Sequence, residues 1–151
     1  EESRALAGAG AWRLSVASLV APAEFSELPG LRRIFIPVGG SVSLRVEGRS
    51  YLVEDGCPFH FSGDAATTLE WLSVPCFALN FMSHDAALTL GREHQAEART
   101  LAVVPLEDGT GGDESGAVGR FDVLVPQAAA TAPSGVSIDA ARLPTACVVV
   151  R

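Results

Sequence analysis

Three polar side chains sit inside otherwise apolar, strand-like runs, where side-chain chemistry has few competitors. Arg33 opens the run Arg33-Ile34-Phe35, and a guanidinium there presents a planar fork of N–H donors suited to a carboxylate. In Phe77-Ala78-Leu79-Asn80-Phe81-Met82, alternation places Phe77, Leu79 and Phe81 on one face and Ala78, Asn80 and Met82 on the other. An amide among apolar neighbours must find hydrogen-bond partners, in the protein or in a ligand. His60, within Pro58-Phe59-His60-Phe61, poses the same question and adds an imidazole matched to proton transfer near neutral pH. Each has an ordinary structural use beside the chemical one. Asn80 can satisfy a neighbouring strand, His60 can face water, and Arg33 can pair with a surface acid such as Glu24.

Other chemistries find less support. The three histidines, His60, His84 and His94, form no His-x-His pair. His94-Gln95-Ala96-Glu97 puts two ligands on one helical face with no third nearby, so neither a metal nor another cofactor is expected. There is no Gly-x-Ser-x-Gly elbow. Cys57, Cys76 and Cys147 are widely spaced and odd in number, which reads as reduced thiols in a cytoplasmic setting, with Cys57 and Cys76 as small core residues. Asp108-Gly109-Thr110-Gly111-Gly112-Asp113-Glu114 lacks the spacing and terminal bidentate Glu of a calcium loop and reads as a solvated loop.

Composition narrows the partners. All 11 basic residues are arginine, and the formal net charge is −7. A chain so acidic, with no basic patch, is poorly matched to nucleic acid or to an acidic membrane surface. The absence of lysine removes P-loop, Schiff-base and lysine general-base chemistry. At 151 residues and 48% hydrophobic, the chain can bury a core and is not composed like a disordered one. No run of about 18 apolar residues signals a membrane span. The start, Glu1-Glu2-Ser3-Arg4, carries no signal pattern and no initiator Met, and reads as cropped. Small metabolites remain as the natural ligand class.

The elements that must position these residues are strands. Arg33–Val38 is rich in β-branched and aromatic residues, and Ser41–Glu47 alternates so that Val42, Leu44 and Val46 share a buried face. A hairpin is predicted through Glu47-Gly48-Arg49 into Tyr51-Leu52-Val53. Trp12–Val20, Thr67–Val74 and Phe77–Met82 supply further strands, the last two divided at Pro75. In the second half, Leu101–Leu106, Phe121–Val125 and Ala146–Val150 read as strands, 86–98 is ambiguous between helix and strand, and 107–119 reads as a surface loop. Short strands broken by Gly and Pro indicate an all-β sandwich or barrel.

Four blocks in this order resemble the HutD/Ves family of cupin proteins: Trp12-Arg13-Leu14-Ser15-Val16-Ala17, Phe25-Ser26-Glu27-Leu28-Pro29-Gly30-Leu31-Arg32-Arg33, Pro58-Phe59-His60-Phe61-Ser62-Gly63-Asp64 and Asn80-Phe81-Met82. The resemblance spans roughly residues 10–83 and weakens beyond. It implies a bicupin, with two cupin-type double-stranded β-barrel halves in one chain and no catalytic metal motif. The expected halves are 1–83, an N-terminal barrel, and 84–151, a shorter cupin-like half. The family's usual opening, Pro-Trp-Arg-Asn-Gly-Gly leading into Thr-x-Glu, is not in the sequence, which starts about where it would end. By position, the resemblance carries over Arg33, Phe61, Asp64, Asn80 and Met82.

The resulting expectation is a metal-free, cytoplasmic cupin. It binds a small carboxylate metabolite of the formylglutamate or urocanate class and modulates histidine or other amino-acid catabolism. Arg33 would hold the carboxylate, Asn80 orient the ligand, and Phe61 and Met82 form its apolar wall, with His60 and Asp64 at the same site. The rival is a cupin-fold isomerase or hydrolase that uses His60 as general base, oriented by Asp64 or Glu70. It requires His60 to be enclosed and within hydrogen-bond reach of a carboxylate. A purely structural or partner-binding module would instead show a filled barrel interior and a sizeable exposed apolar patch. Edge strands are compatible with a homodimer formed by sheet extension.

Overall fold

The computed structural model describes residues 3–85, 88–92, 100–105 and 145–150, every regular element of which is a β-strand. The chain divides into two compact units, Glu1–Ala86 and Ala87–Arg151.

In the first unit, β1 (Ser3–Ala9), β2 (Trp12–Leu19), β9 (Cys76–Ser83), β4 (Arg32–Val38) and β7 (Phe59–Ser62) form one antiparallel sheet in the order β1-β2-β9-β4-β7. A second sheet runs β3-β8-β5-β6, from β3 (Ala23–Glu24), β8 (Thr67–Leu72), β5 (Val42–Val46) and β6 (Arg49–Val53). One hydrophobic core joins them, with Leu19, Phe35, Cys76 and Ala78 from the first sheet against Val42, Leu44, Val53 and Leu69 from the second. Full burial of a valine or leucine contributes about 1.5–3 kcal/mol, so Val42 and Leu44, both completely enclosed, do much to hold the sheets face to face.

The expected hairpin forms with a two-residue turn, Glu47-Gly48, between β5 and β6. Both residues have positive φ, 49° and 80°, the geometry that matches the twist of the flanking strands. Glutamate is not an easy occupant of that region. It is held by two bonds to Ala66, since Glu47 N–H donates to the Ala66 carbonyl and Glu47 Oε1 accepts from Ala66 N–H, both at 3.0 Å. Pro37 is tolerated within β4 because pairing with β7 stops at Phe35, leaving only β9 alongside it.

The five-stranded sheet is buried on both faces. Leu14, Val16, Ile34, Ile36, Leu79 and Phe81 occupy the face opposite the core just described, and all are buried. Phe77, Leu79 and Phe81 do alternate with Ala78, Asn80 and Met82, but it is the second, smaller set that faces the other sheet. Two elements had no sequence signal strong enough to anticipate them, β1 and the two-residue β3.

The second unit contains β10 (Leu88–Arg92), β11 (Thr100–Pro105) and β12 (Thr145–Val150), ordered β10-β12-β11 with antiparallel pairing throughout. The ambiguous segment 86–98 therefore includes a strand at its centre, with Leu88 and Leu90 buried. The expected strand Phe121–Val125 and the loops 107–119 and 108–114 lie outside the described residues, as does His94. Cys76 is buried, as anticipated, and burial pushes its thiol pKa up, with the charge of Asp55 adding to the effect. Cys57 is exposed rather than a core residue, because Glu54–Cys57 forms a turn between β6 and β7. No helix among the described residues is long and apolar enough to cross a membrane.

Candidate functional site

Strand register assembles the site. In the five-stranded sheet, Arg13 on β2, Met82 on β9, Arg33 on β4 and Phe61 on β7 stand in one transverse row. The next row holds Ser15, Asn80, Phe35 and Phe59, and the one after it Ala17, Ala78 and Pro37. Directly paired residues project to the same side of a sheet, as do positions i and i+2 along a strand. All three rows therefore project to the core side, the side of Phe35, Phe59, Phe61 and Ala78. Exposure falls along the rows: Arg13 is exposed and Met82 half-buried, Asn80 is 8% exposed and Ser15 1%, and Ala78 is fully enclosed. The first row lies nearest to solvent and the third lies in the packed core.

Arg33, in the first row, is buried at 8% exposure. Its guanidinium carbon lies 4.9 Å from the Phe61 ring centre and 5.3 Å from that of Phe25, within reach of cation–π attraction. Nη1 donates to the Ser26 carbonyl at 3.2 Å. The aromatic setting continues through Phe25–Phe35, Phe59–Phe61 and Tyr51–Phe59 contacts at 5.2–5.8 Å. Phe25 enters because its backbone N–H is fixed to the Thr67 carbonyl at 2.9 Å.

Asn80 makes no side-chain hydrogen bond among the described residues. Ser15 Oγ, opposite it on β2, is buried and also without a hydrogen-bond partner among the described residues. A buried hydroxyl left unsatisfied costs stability unless something else satisfies it. Ser15 was not anticipated as a site residue. The signal was present: a serine between Leu14 and Val16, on the same strand parity as Arg13 and Ala17.

Four of the anticipated residues, Arg33, Phe61, Asn80 and Met82, thus share one face, while His60 and Asp64 do not join them. His60 lies between Phe59 and Phe61 on β7, and alternation turns its exposed side chain to the opposite face, paired with Ile34. Partial burial of the ring, with the nearby charge of Arg32, lowers its pKa below 6.5. No hydrogen bond or ion pair joins it to a carboxylate among the described residues. Asp64 is exposed and serves the turn after β7, where Oδ2 accepts from Gly30 N–H at 3.3 Å and from Ser62 Oγ at 3.2 Å. That turn is closed by Gly63, whose N–H donates to the Leu31 carbonyl and whose carbonyl accepts from Leu28 N–H, both at 2.7 Å. Asp64 therefore helps to fix the Leu28–Leu31 segment that delivers Arg33, without standing beside the guanidinium itself.

Glu70, the other proposed partner of His60, belongs to the second sheet. It accepts from Ser50 Oγ at 2.7 Å and Ser43 Oγ at 3.2 Å and pairs with Arg45. The Ser50 bond, aided by the weaker effects of the Arg45 charge and the Ser43 bond, holds its pKa below the ordinary value against desolvation, the second-largest effect. The enclosed histidine–carboxylate pair required by the enzymatic rival is not assembled by the described residues. His84, the remaining described histidine, accompanies Gly30, with Nδ1 3.2 Å from its carbonyl oxygen. No group of three or more His, Cys, Asp or Glu side chains that could hold a metal ion occurs among the described residues.

The fold has solved counterparts. A HutD structure from Pseudomonas fluorescens SBW25, described for a formate condition, aligns with TM-score 0.62 and 23% identity over 93% of this chain and 75% of that one. A conserved protein of unknown function from Pseudomonas aeruginosa PAO1 aligns with TM-score 0.64 and 22% identity, covering 99% of this chain and 82% of that one. A cupin domain of an XRE-family transcriptional regulator from Enterobacter cloacae aligns with TM-score 0.50 and 13% identity over 56% of this chain and 96% of that one. At these identities the likeness is one of fold, and the fold is the all-β cupin type. Among curated proteins the comparison finds no similar sequence. The HutD family profile matches residues 3–110, well over half of the 151, and the chain belongs to the HutD family.

Proposed function

We propose that this HutD-family cupin binds a small carboxylate metabolite at the mouth of its first barrel and modulates histidine or related amino-acid catabolism in the cytoplasm. One observation carries the reading. Arg33 and Asn80, each more than nine-tenths buried, project from neighbouring strands to the same side of one sheet, with Phe61 and Met82 alongside. A guanidinium supplies charge and paired donors for a carboxylate, Asn80 supplies one donor group and one acceptor, and Phe61 and Met82 exclude water from the contact. The second unit would form the other half of a bicupin, and the formylglutamate and urocanate class supplies the first ligands to try.

Titration calorimetry with N-formylglutamate and urocanate, on wild type and Arg33→Gln, tests the proposal. Saturable heat that falls at least tenfold in affinity in the variant supports it. Heat from neither ligand, or equal affinity in the two proteins, overturns it.

A further inference from the structure

We infer that the ligand enters with a neutral hydrogen-bonding group foremost, reaching Ser15 and Asn80, while its carboxylate stays one row nearer the mouth with Arg33. This deepens the carboxylate-binding reading and rests on it.

The argument comes from the order of the rows. Positive charge is confined to the outermost row, where Arg13 and Arg33 flank Met82 on adjoining strands. One row further in, about 7 Å along the strands, the polar groups are uncharged: the Ser15 hydroxyl and the Asn80 amide, directly opposite one another. Beyond them come Ala17, Ala78 and Pro37, which offer no side-chain polar atom. A carboxylate pushed to the second row would leave the guanidinium behind and lose its desolvated charge partner. A purely aliphatic head in that row would leave the Ser15 hydroxyl as unsatisfied as it is without ligand, and would cover the Asn80 amide without offering it a partner. An amide, carbonyl or hydroxyl resolves both problems, because Ser15 and Asn80 each donate and accept. The site therefore selects short acids that carry such a group at the end away from the carboxylate, and Ser15 is a specificity-determining residue.

Two isosteric acids separate the possibilities. N-acetylglycine carries an amide where isocaproate has only methylene and methine carbon, and both keep the carboxylate. Their affinities, measured by chemical-shift titration on the full chain, are expected to differ by roughly tenfold in favour of N-acetylglycine, the value of one satisfied buried hydrogen bond. Ser15→Ala and, independently, Asn80→Leu are expected to shrink that ratio while isocaproate binding holds or improves. Arg33→Gln is expected to weaken both acids together. Equal affinity for the two acids in wild type, or a ratio unmoved by both Ser15→Ala and Asn80→Leu, overturns the inference and leaves the carboxylate reading standing. Binding of neither acid overturns the two together.

Discussion

Ser15 on β2 and Asn80 on β9 are register partners that are both buried, and neither side chain is hydrogen-bonded among the described residues. Folding alone gives no reason to keep the Ser15 hydroxyl there, since a buried polar group without a partner costs about 1–3 kcal/mol. Ser15→Ala is accordingly expected to raise unfolding stability by about 1 kcal/mol, read as a higher urea midpoint at unchanged slope. A loss of stability on this substitution would mean that the hydroxyl is satisfied in solution.

Arg33 is held between two aromatic rings, and shape matters there as well as charge. Arg33→Lys keeps the charge but replaces a planar fork by a compact ammonium that does not match the paired oxygens of a carboxylate. Carboxylate affinity is expected to fall roughly tenfold in Arg33→Lys and further in Arg33→Gln. Equal affinity in wild type and the lysine variant would show that charge alone suffices.

Gly63 closes the turn that Asp64 tethers to Gly30. A Cβ at this position would collide with the Leu28 carbonyl oxygen and lie 2.9 Å from that of Leu31. Both obstacles are backbone and fixed by hydrogen bonds, so they cannot swing aside. Gly63→Ala is expected to cost about 2 kcal/mol or more and to weaken ligand binding by displacing the segment that leads into Arg33. Asp64→Ala, which removes only exposed hydrogen bonds, is expected to cost less than about 1 kcal/mol. Thermal unfolding of the two variants measures the contrast.

Leu44 is fully buried at the centre of the second sheet and belongs to the core shared by both sheets. Leu44→Ala is expected to destabilise the first unit by about 2–5 kcal/mol, as a shift in urea midpoint. A much smaller change would mean that the facing side chains collapse into the space.

His60 gives the pH dependence its sign. Its pKa is lowered in the folded protein, chiefly by desolvation and secondarily by Arg32, so the unfolded chain binds the proton more readily. Stability contributed this way is complete above pH 6.5 and is lost as the pH falls from there through the lower folded-state pKa. His60→Gln is expected to flatten the stability profile on the acid side while leaving carboxylate binding unchanged, because the ring projects to the face opposite Arg33. A parallel loss of binding would place His60 at the site after all.

Much of the local structure was legible because half-buried strands announce themselves by period. The run Val42-Ser43-Leu44 needed only alternation to locate its buried face, and Pro75 and Gly48 marked where strands had to end or turn. The weak points have physical causes. In Leu88–Arg92 the composition suits a helix, but antiparallel pairing with β12 overrides propensity. In β9, alternation separated Phe77, Leu79 and Phe81 from Ala78, Asn80 and Met82 without saying which set faces the first unit's core, because a sheet buried on both sides makes either assignment compatible with the pattern.

The sequence by itself determined that this chain is an all-β, lysine-free, acidic protein of the HutD kind, with Arg33 and Asn80 embedded in strands. Those properties are local or compositional, so they are present before any residue meets a distant one. Only tertiary structure decided which polar groups share a space. Register between β2, β9, β4 and β7 set Arg33, Asn80, Met82 and Phe61 on one side and added Ser15 from about 65 residues away. The same pleat turned His60 to the other side. A shift of one residue in any of those pairings would have exchanged the two faces, and a single strand, read alone, carries no record of its partner's register.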